Sequence, residues 1–320
     1  MRNLIPTLRA WRAAGTAFGL ARVVSTWGSA PRRPGAWLAV SSNGDMVGSV
    51  SGGCIEGAAR EEILAVLDGA PARVVEYGID NATAWTAGLS CGGKLAVSVQ
   101  PFPESVGDAL VNAIEQGDAV VWTSRFTDTG VEDTLGSAES WPGAPDAVMM
   151  HHEEPTGTVV AQHIRRPGHV LIIGGADIAV HLVQLAHLLD FDTTIVDPRA
   201  VFTSPDRFPV PPTDIHTAWP QEVLPSTRMD RETYAVLLTH DPKIDDPAIA
   251  LLFASDVAYI GALGGRNTQE KRRQRLAAAG HAQRDIDAIK GPVGLSIGAA
   301  TPAEIALSIM AEIVAVSRRS

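Results

Sequence analysis

His169-Val170-Leu171-Ile172-Ile173-Gly174-Gly175-Ala176-Asp177-Ile178-Ala179 decides the fold of the C-terminal half. The first five residues read as a short buried strand, the two glycines as a tight turn, and the remainder as a helix reaching about Leu189. A second strand, Thr193 to Val196, ends at Asp197. Tyr234 to Thr239 and Val257 to Ile260 read as two more. Strands alternating with helices predict an α/β domain over 166–320: a Rossmann-like, doubly wound parallel sheet. Thr301-Pro302-Ala303-Glu304 carries a capping box with proline at the first helical position, which starts the last helix.

The same turn is measured against the dinucleotide fingerprint, G-x-G-x-x-G/A followed by an acid about 20 positions on. Gly174, Ala176 and Ala179 stand at its three glycine positions, and Asp197 is placed for a ribose hydroxyl. Gly174 and Gly175 keep the tight turn, but Ala176 crowds the path of a pyrophosphate. Asp177 adds negative charge where a phosphate would rest. The expectation is a retained scaffold with an altered ligand, and NAD(P) is disfavoured. Thr239-His240-Asp241 follows a strand at its carboxyl end, where open α/β sheets place ligands. His240 and Asp241 are therefore candidate site residues, with a purely structural role as the alternative.

Residues 1–125 read as a mixed α/β domain. Leu4 to Ala14 has helical spacing; Ala17 to Thr26, Trp37 to Ser41, Val74 to Tyr77 and Leu95 to Val99 read as strands. Asn43-Gly44 marks a hairpin into Met46 to Ser49. The two cysteines of the chain both lie among glycines, in Ser51-Gly52-Gly53-Cys54 and Ser90-Cys91-Gly92-Gly93. Glycine serves where a backbone takes positive φ or approaches a ligand. Cys54 is expected in the first turn of the helix that continues through Ile63 to Leu67, where free N–H groups favour an anion. Gly52-Gly53 and Gly92-Gly93 are candidate anion nests. Arg32 and Arg33, on a Pro-Gly-rich turn, are candidate donors to a phosphate. A Cys54–Cys91 disulfide and a packed, inert Cys91 are the plainer alternatives.

Between 126 and 165 the character changes. Acidic residues are interspersed with Gly, Pro and Thr, and no Lys or Arg appears before Arg165. This reads as an acidic connector, at best partly ordered until Thr158 to Ile164. His151-His152-Glu153-Glu154 has metal-ligand types, but adjacent side chains rarely converge on one ion, so a solvated loop is expected.

At 320 residues the chain has room for two cores. A formal charge of −10 argues against a nucleic-acid surface or an anionic membrane. No apolar run approaches the ~18 residues of a membrane span. With two cysteines and no signal-peptide pattern, a cytoplasmic protein is expected. All nine histidines lie between His151 and His281, so the N-terminal half has no Cys-His pair of its own.

Taken in order, several blocks resemble the XdhC/CoxI family, accessory factors of xanthine dehydrogenase and related molybdenum hydroxylases. In the N-terminal half these are residues 26–35, Gly48 to Gly57 and Leu89 to Gly93. In the C-terminal half they are Val196-Asp197-Pro198-Arg199, Arg207-Phe208-Pro209, Thr239-His240-Asp241, Tyr259 to Gly264 and Pro292 to Ala299. The resemblance spans nearly the whole chain except the acidic stretch. It implies a maturation chaperone more than a turnover enzyme: a protein that binds molybdenum cofactor in its molybdopterin form and supports its sulfuration. The cofactor would then be delivered to an apo molybdenum hydroxylase. A cysteine desulfurase is an implied further partner, and a homodimer is expected. Cys54 or Cys91 would then handle sulfur or ligate the metal, since soft thiolates suit such centres. Family members often carry G-x-G-H at the Rossmann turn, and this chain has Gly174-Gly175-Ala176-Asp177 instead. An NAD(P)-dependent oxidoreductase, or a thiol-redox protein using both cysteines, are the rival readings.

Overall fold

The computed structural model describes residues 1–28, 32–78, 94–144 and 147–318. They divide into two compact units, Met1–Arg166 and Pro167–Ser320.

In the first unit a helix, Ile5–Ala13, precedes β1 (Phe18–Trp27), β2 (Trp37–Ser41) and β3 (Met46–Gly48). The helix Glu56–Leu67 then leads to β4 (Arg73–Tyr77) and β5 (Lys94–Pro101). These strands form one antiparallel sheet in the order β3-β2-β1-β5-β4. One face buries Val23, Leu38 and Val97 against Ala59 and Ile63 of the Glu56–Leu67 helix. Leu20 and Phe18 turn the other way, toward Leu8 of the first helix and Leu110 of the helix Gly107–Gln116. Successive side chains of a strand point to opposite faces, and here each face has its own partner.

The stretch expected as an acidic connector is instead a second sheet, and the boundary placed at 125 falls inside a strand. β6 (Val120–Thr127), β7 (Gly130–Ser137), β8 (Met149–Glu154) and β9 (Gly157–Ile164) pair antiparallel in the order β7-β6-β9-β8. The acids misled because β7 is half-exposed: Glu132 faces solvent, while Val131, Asp133 and Leu135 turn inward. Asp133 is no solvated charge, since it accepts hydrogen bonds from Gln100, Trp122 and Ser124. His151 to Glu154 lie on β8 rather than on a loop, and neighbouring residues of a strand point to opposite faces. Among the described residues no cluster of metal-ligating side chains occurs.

A buried arginine joins the two sheets. Arg22 of β1 has no solvent exposure and lies 3.6 Å over the Trp122 ring of β6. It donates to Ser98 and Gln100 of β5 and to Ser124 of β6. Burial pushes its pKa down to about 9, with Asp133 opposing that shift.

The second unit is the parallel sheet that the glycine turn predicts. β10 (His169–Ile173), β11 (Asp192–Val196), β12 (Asp214–His216), β13 (Thr233–Leu237) and β14 (Tyr259–Ala262) run in the order β12-β11-β10-β13-β14. Every pairing is parallel. Val170 and Ile172 face the helices Asp177–Leu188 and Pro302–Ser317, while Leu171 and Ile173 face Pro242–Phe253 and Arg266–Ala278. A strand apolar on both faces is what a sheet covered on both sides requires. The last strand begins two residues later than its apolar run suggests, because pairing with β13 aligns Tyr259 with Tyr234. The predicted capping box is formed: the Thr301 hydroxyl accepts from Glu304 N–H, and the Glu304 carboxylate accepts from Thr301 N–H.

Candidate functional site

In the first unit, antiparallel pairing brings the motif loops to one end of a sheet. β1 ends at Trp27 opposite Lys94, the first residue of β5. β4 ends at Tyr77 opposite Leu95, and β3 ends at Gly48 opposite Leu38, near the start of β2. The turn bearing Arg32 and Arg33 and the loop bearing Cys54 therefore leave from the same end. The strands that flank residues 79–93 end there too. Cys91, Gly92 and Gly93 lie outside the described residues.

Residues 49–55 form a compact loop before the Glu56–Leu67 helix. Cys54 is not in the first turn, because Ile55 is the N-cap; it precedes the helix by two residues. Its thiol is free and half-buried, packed beside Ile55 and Ala59. The glycine nest is real, but this chain fills it with its own anion. The N–H groups of Ser51, Gly52 and Gly53 all donate to the Glu56 carboxylate, at 2.8–3.0 Å. The hydroxyls of Ser49 and Ser51 donate to it as well. Ser51 Oγ in turn accepts from the N–H groups of Cys54 and Ile55, closing the loop. Gly52 and Gly53 are thus not vacant donors for a ligand; they hold the cysteine loop to the helix.

Partial burial raises the Glu56 pKa, but the bonds from Ser51 and Ser49 outweigh it and hold the value at about 2 instead of 4.5. A carboxylate whose folded pKa is depressed stabilises the fold above its unfolded pKa. That stabilisation is lost as pH falls from about 4.5 toward 2. Glu56→Gln is expected to remove this contribution and flatten the acid limb of a melting-temperature profile in that window. Glu56→Ala should lower stability by about 1.5–3 kcal/mol, the range for bonds to a charged partner. A parent-like melting curve for Glu56→Ala would show that the nest contributes nothing.

Arg32 and Arg33 are both exposed. The turn is closed by the Ala36 N–H donating to the Arg33 carbonyl. Neither guanidinium has an ion-pair partner among the described residues.

In the second unit, the candidates gather at the carboxyl edge of the parallel sheet. Gly174 takes φ +106°, and a Cβ there would lie 2.7 Å from Thr239 Cγ2, two residues past the end of β13. A Cβ on Gly175 would lie 2.2 Å from the carbonyl oxygen of Phe202. Both glycines are needed by the protein itself: the segment after β11 folds over the turn where a pyrophosphate would lie. Asp197 has no solvent exposure and is wholly engaged. Its carboxylate accepts from the Gly175 N–H at 3.0 Å, from Arg199 Nε and Nη2 at 2.8 Å, and from the Arg199 N–H. Burial pushes its pKa up, and these bonds together hold it below the usual carboxylate range. Arg199 also stacks 4.3 Å from the Phe202 ring.

The ribose-binding role read for Asp197 is therefore not available in this arrangement. Asp177 is not a bare charge either, since Arg207 pairs with it at 3.0 Å. Dinucleotide binding is opposed by Phe202 and Arg199, neither of which belongs to the fingerprint. Titration with NADH up to about 1 mM, a binding energy near −4 kcal/mol, is expected to give no saturable signal. Ala176→Gly with Asp177→Asn should not create one, because Phe202 remains over Gly175. Saturation by the parent chain at micromolar NADH would contradict this.

His240 is exposed and takes φ +60°, an uncommon conformation for a residue with a side chain. Asp241 caps the Pro242–Phe253 helix by accepting from the Lys243 N–H. Beneath them lies a fully buried ion pair, Asp245 with Arg272 at 3.0 Å. Thr239 donates to Asp245, and Arg272 donates to Gln269 and the Leu263 carbonyl. The network ties the loops after β13 and β14 together and fixes where His240 stands. Sequence reasoning missed it, since neither residue belongs to a recognisable spacing. For Glu56 a local signal did exist: an acid three residues after a Gly-Gly pair is within reach of the nest that the pair forms.

Comparison with known proteins follows the same division. Residues 170–313 match the XdhC Rossmann domain, and residues 11–78 match the XdhC and CoxI family. A Bacillus subtilis relative, named as a probable xanthine dehydrogenase component, is 27% identical over 94% of this chain and 93% of its own length. The molybdenum cofactor insertion chaperone PaoD of Escherichia coli is 27% identical over 95% of this chain and 84% of its own. A crystal structure of a xanthine dehydrogenase from Bacillus halodurans, 23% identical, superposes with a TM-score of 0.78 over 98% of this chain and 96% of that one. That likeness extends to the fold. With both units matched in order, the chain belongs to the XdhC and CoxI family.

Proposed function

We propose that this protein is a molybdenum cofactor-handling accessory factor: it binds the molybdopterin form, supports its sulfuration and passes it to an apo molybdenum hydroxylase of the xanthine dehydrogenase type. The observation that carries this reading is the free, half-buried Cys54 on a loop clamped to its helix by Glu56, among motif loops that share one end of a sheet. Similarity over most of the length of a cofactor insertion chaperone supports the same role.

The residues fit such a group in donor chemistry. Cys54 offers a soft sulfur of the kind that molybdenum accepts, and exposed Arg32 and Arg33 offer forked donors to a phosphate. Cys91 is the second candidate sulfur. The Gly52-Gly53 nest contributes rigidity rather than donors, because Glu56 occupies it. When bound, the cofactor would supply the oxo-metal and dithiolene chemistry. The chain's own part is to hold it, position a sulfur beside it and leave it transferable. A cysteine desulfurase as sulfur source belongs to this proposal, as do a homodimeric state, a cytoplasmic location and site-facing roles for His240 and Asp241. Among the described residues no helix is long and apolar enough to cross a membrane.

The test is purification from a molybdopterin-replete host followed by metal and pterin analysis. Molybdenum and pterin in equal amounts are expected. A preparation with neither, still unable to support an apo-hydroxylase, would overturn the reading.

A further inference from the structure

The end of the first sheet that carries the motif loops also holds a concavity of about 620 Å³. Its floor and walls follow from strand register. Residues directly opposite across a pair share a face, so Trp27 of β1 stands beside Lys94 of β5. One step back, Ser25, Ala96 and Glu76 form a parallel row across β1, β5 and β4. An irregularity in β1 between Val23 and Ser25 sets this register, and bulges commonly re-aim side chains in this way. Strand spacing makes the three-strand row about 10 Å wide, sets Trp27 about 5 Å from Lys94 along its own row, and puts the two rows about 7 Å apart.

The centre is low because its residues are small: Ala96, and Gly78 just past β4. A Cβ on Gly78 would lie 3.2 Å from Lys94 Cγ, so the lysine stem lies toward β4, away from Trp27. Trp27 consequently shows 77% of its surface to solvent, whereas most other large aromatics among the described residues are buried. Glu76 and Ser25 are exposed at the other row.

We propose that this concavity binds a planar fused heterocycle through its 2-aminopyrimidin-4-one edge, the edge presented by a pterin. The inference rests on the cofactor-handling reading and names which part of the ligand goes where. A carboxylate at Glu76 accepts two parallel N–H bonds from the ring N–H and the exocyclic amine, the same fork geometry by which a guanidinium meets a carboxylate. Trp27 supplies the stacking surface, and Lys94 an ammonium for the ring carbonyl or a pendant phosphate. Ser25 offers a hydroxyl beside the ring. Guanine presents the same edge, so a guanine nucleotide is the second source of this chemistry. Adenine is excluded, because its unprotonated ring nitrogen would face the carboxylate.

The test titrates the full chain by calorimetry with 6-hydroxymethylpterin, GMP and AMP. Saturable pterin binding is expected, with AMP inert. Trp27→Ala and Glu76→Gln should each weaken it about tenfold or more, the scale found for base-on-aromatic stacking. Both positions are exposed, so parent-like melting temperatures are expected to accompany the loss. Pterin binding tighter than GMP assigns the site to the pterin; equal binding assigns it to the shared edge. AMP binding as well as pterin, or variants binding like the parent, overturns the proposal. Cofactor content after expression in a molybdopterin-replete host separates this from the broader reading. Parent and both variants equally loaded would sink the pocket and leave the function standing. An empty parent that still binds free pterin through Trp27 would do the reverse.

Discussion

Alanine at Cys54 is expected to reduce reconstitution of an apo molybdenum hydroxylase by more than about tenfold, a loss of at least ~1.4 kcal/mol in transfer. The melting temperature should change little. The thiol is half-buried and its sulfur makes no bond that the fold depends on; the loop is held by Ser51 and Glu56. Cys54→Ser, which keeps size but replaces a soft donor by a hard one, should fail as fully as alanine if the sulfur is what matters. Cys91→Ala should act in the same direction. The measurement is the rate at which cofactor-loaded protein restores activity to an apo-hydroxylase, alongside bound molybdenum. Both cysteine variants reconstituting like the parent would remove the sulfurs from the mechanism.

The second large effect is on stability. Arg272→Ala leaves Asp245 charged, 1% exposed and without its ion-pair partner. Breaking a buried pair in this way costs about 3–5 kcal/mol. In a unit of this size that corresponds to a fall of roughly 6–20 °C in melting temperature. Burial already pushes the Asp245 pKa up, with Thr239 and Arg272 opposing that shift. Without Arg272 the carboxyl should take up a proton at higher pH, so the deficit should shrink on acidification below neutrality. Replacing both partners together, Asp245→Leu with Arg272→Met, should recover much of the loss, because the cost lies in the unpaired charge. Thermal unfolding of the three variants at pH 7 and pH 5 checks this. A single variant within about 1 kcal/mol of the parent would show that water or a rearranged neighbour satisfies Asp245.

How much of this was legible can be judged at particular residues. The strand-turn-helix at 169–188 was readable because local signals agree: a doubly buried strand is a continuous apolar run, and glycine marks the turn. The hairpin at Asn43-Gly44 and the cap at Thr301 are local in the same sense. The second sheet was not readable. β7 has an acid, Asp133, at an inward position, and its partners Gln100, Trp122 and Ser124 come from β5 and β6. Composition took those acids for solvent because the hydrogen bonds that satisfy them are distant in sequence.

The candidate site divides along the same line. Sequence alone determined the fold class, the family, and that Cys54 stands next to a glycine nest at a helix start. These depend on spacing within a few residues of chain. Only the tertiary structure decided what the nest, the turn and the acid at 197 actually hold. Glu56 fills the first, Phe202 covers the second, and Arg199 takes the third. The physical reason is that a donor or acceptor type is a property of a residue, whereas its occupancy depends on which other group the fold brings within about 3 Å. Likewise, register across β1, β5 and β4 set Trp27, Lys94 and Glu76 around one concavity, from positions up to 67 residues apart. Pairing over such distances leaves no periodicity to read in any one segment.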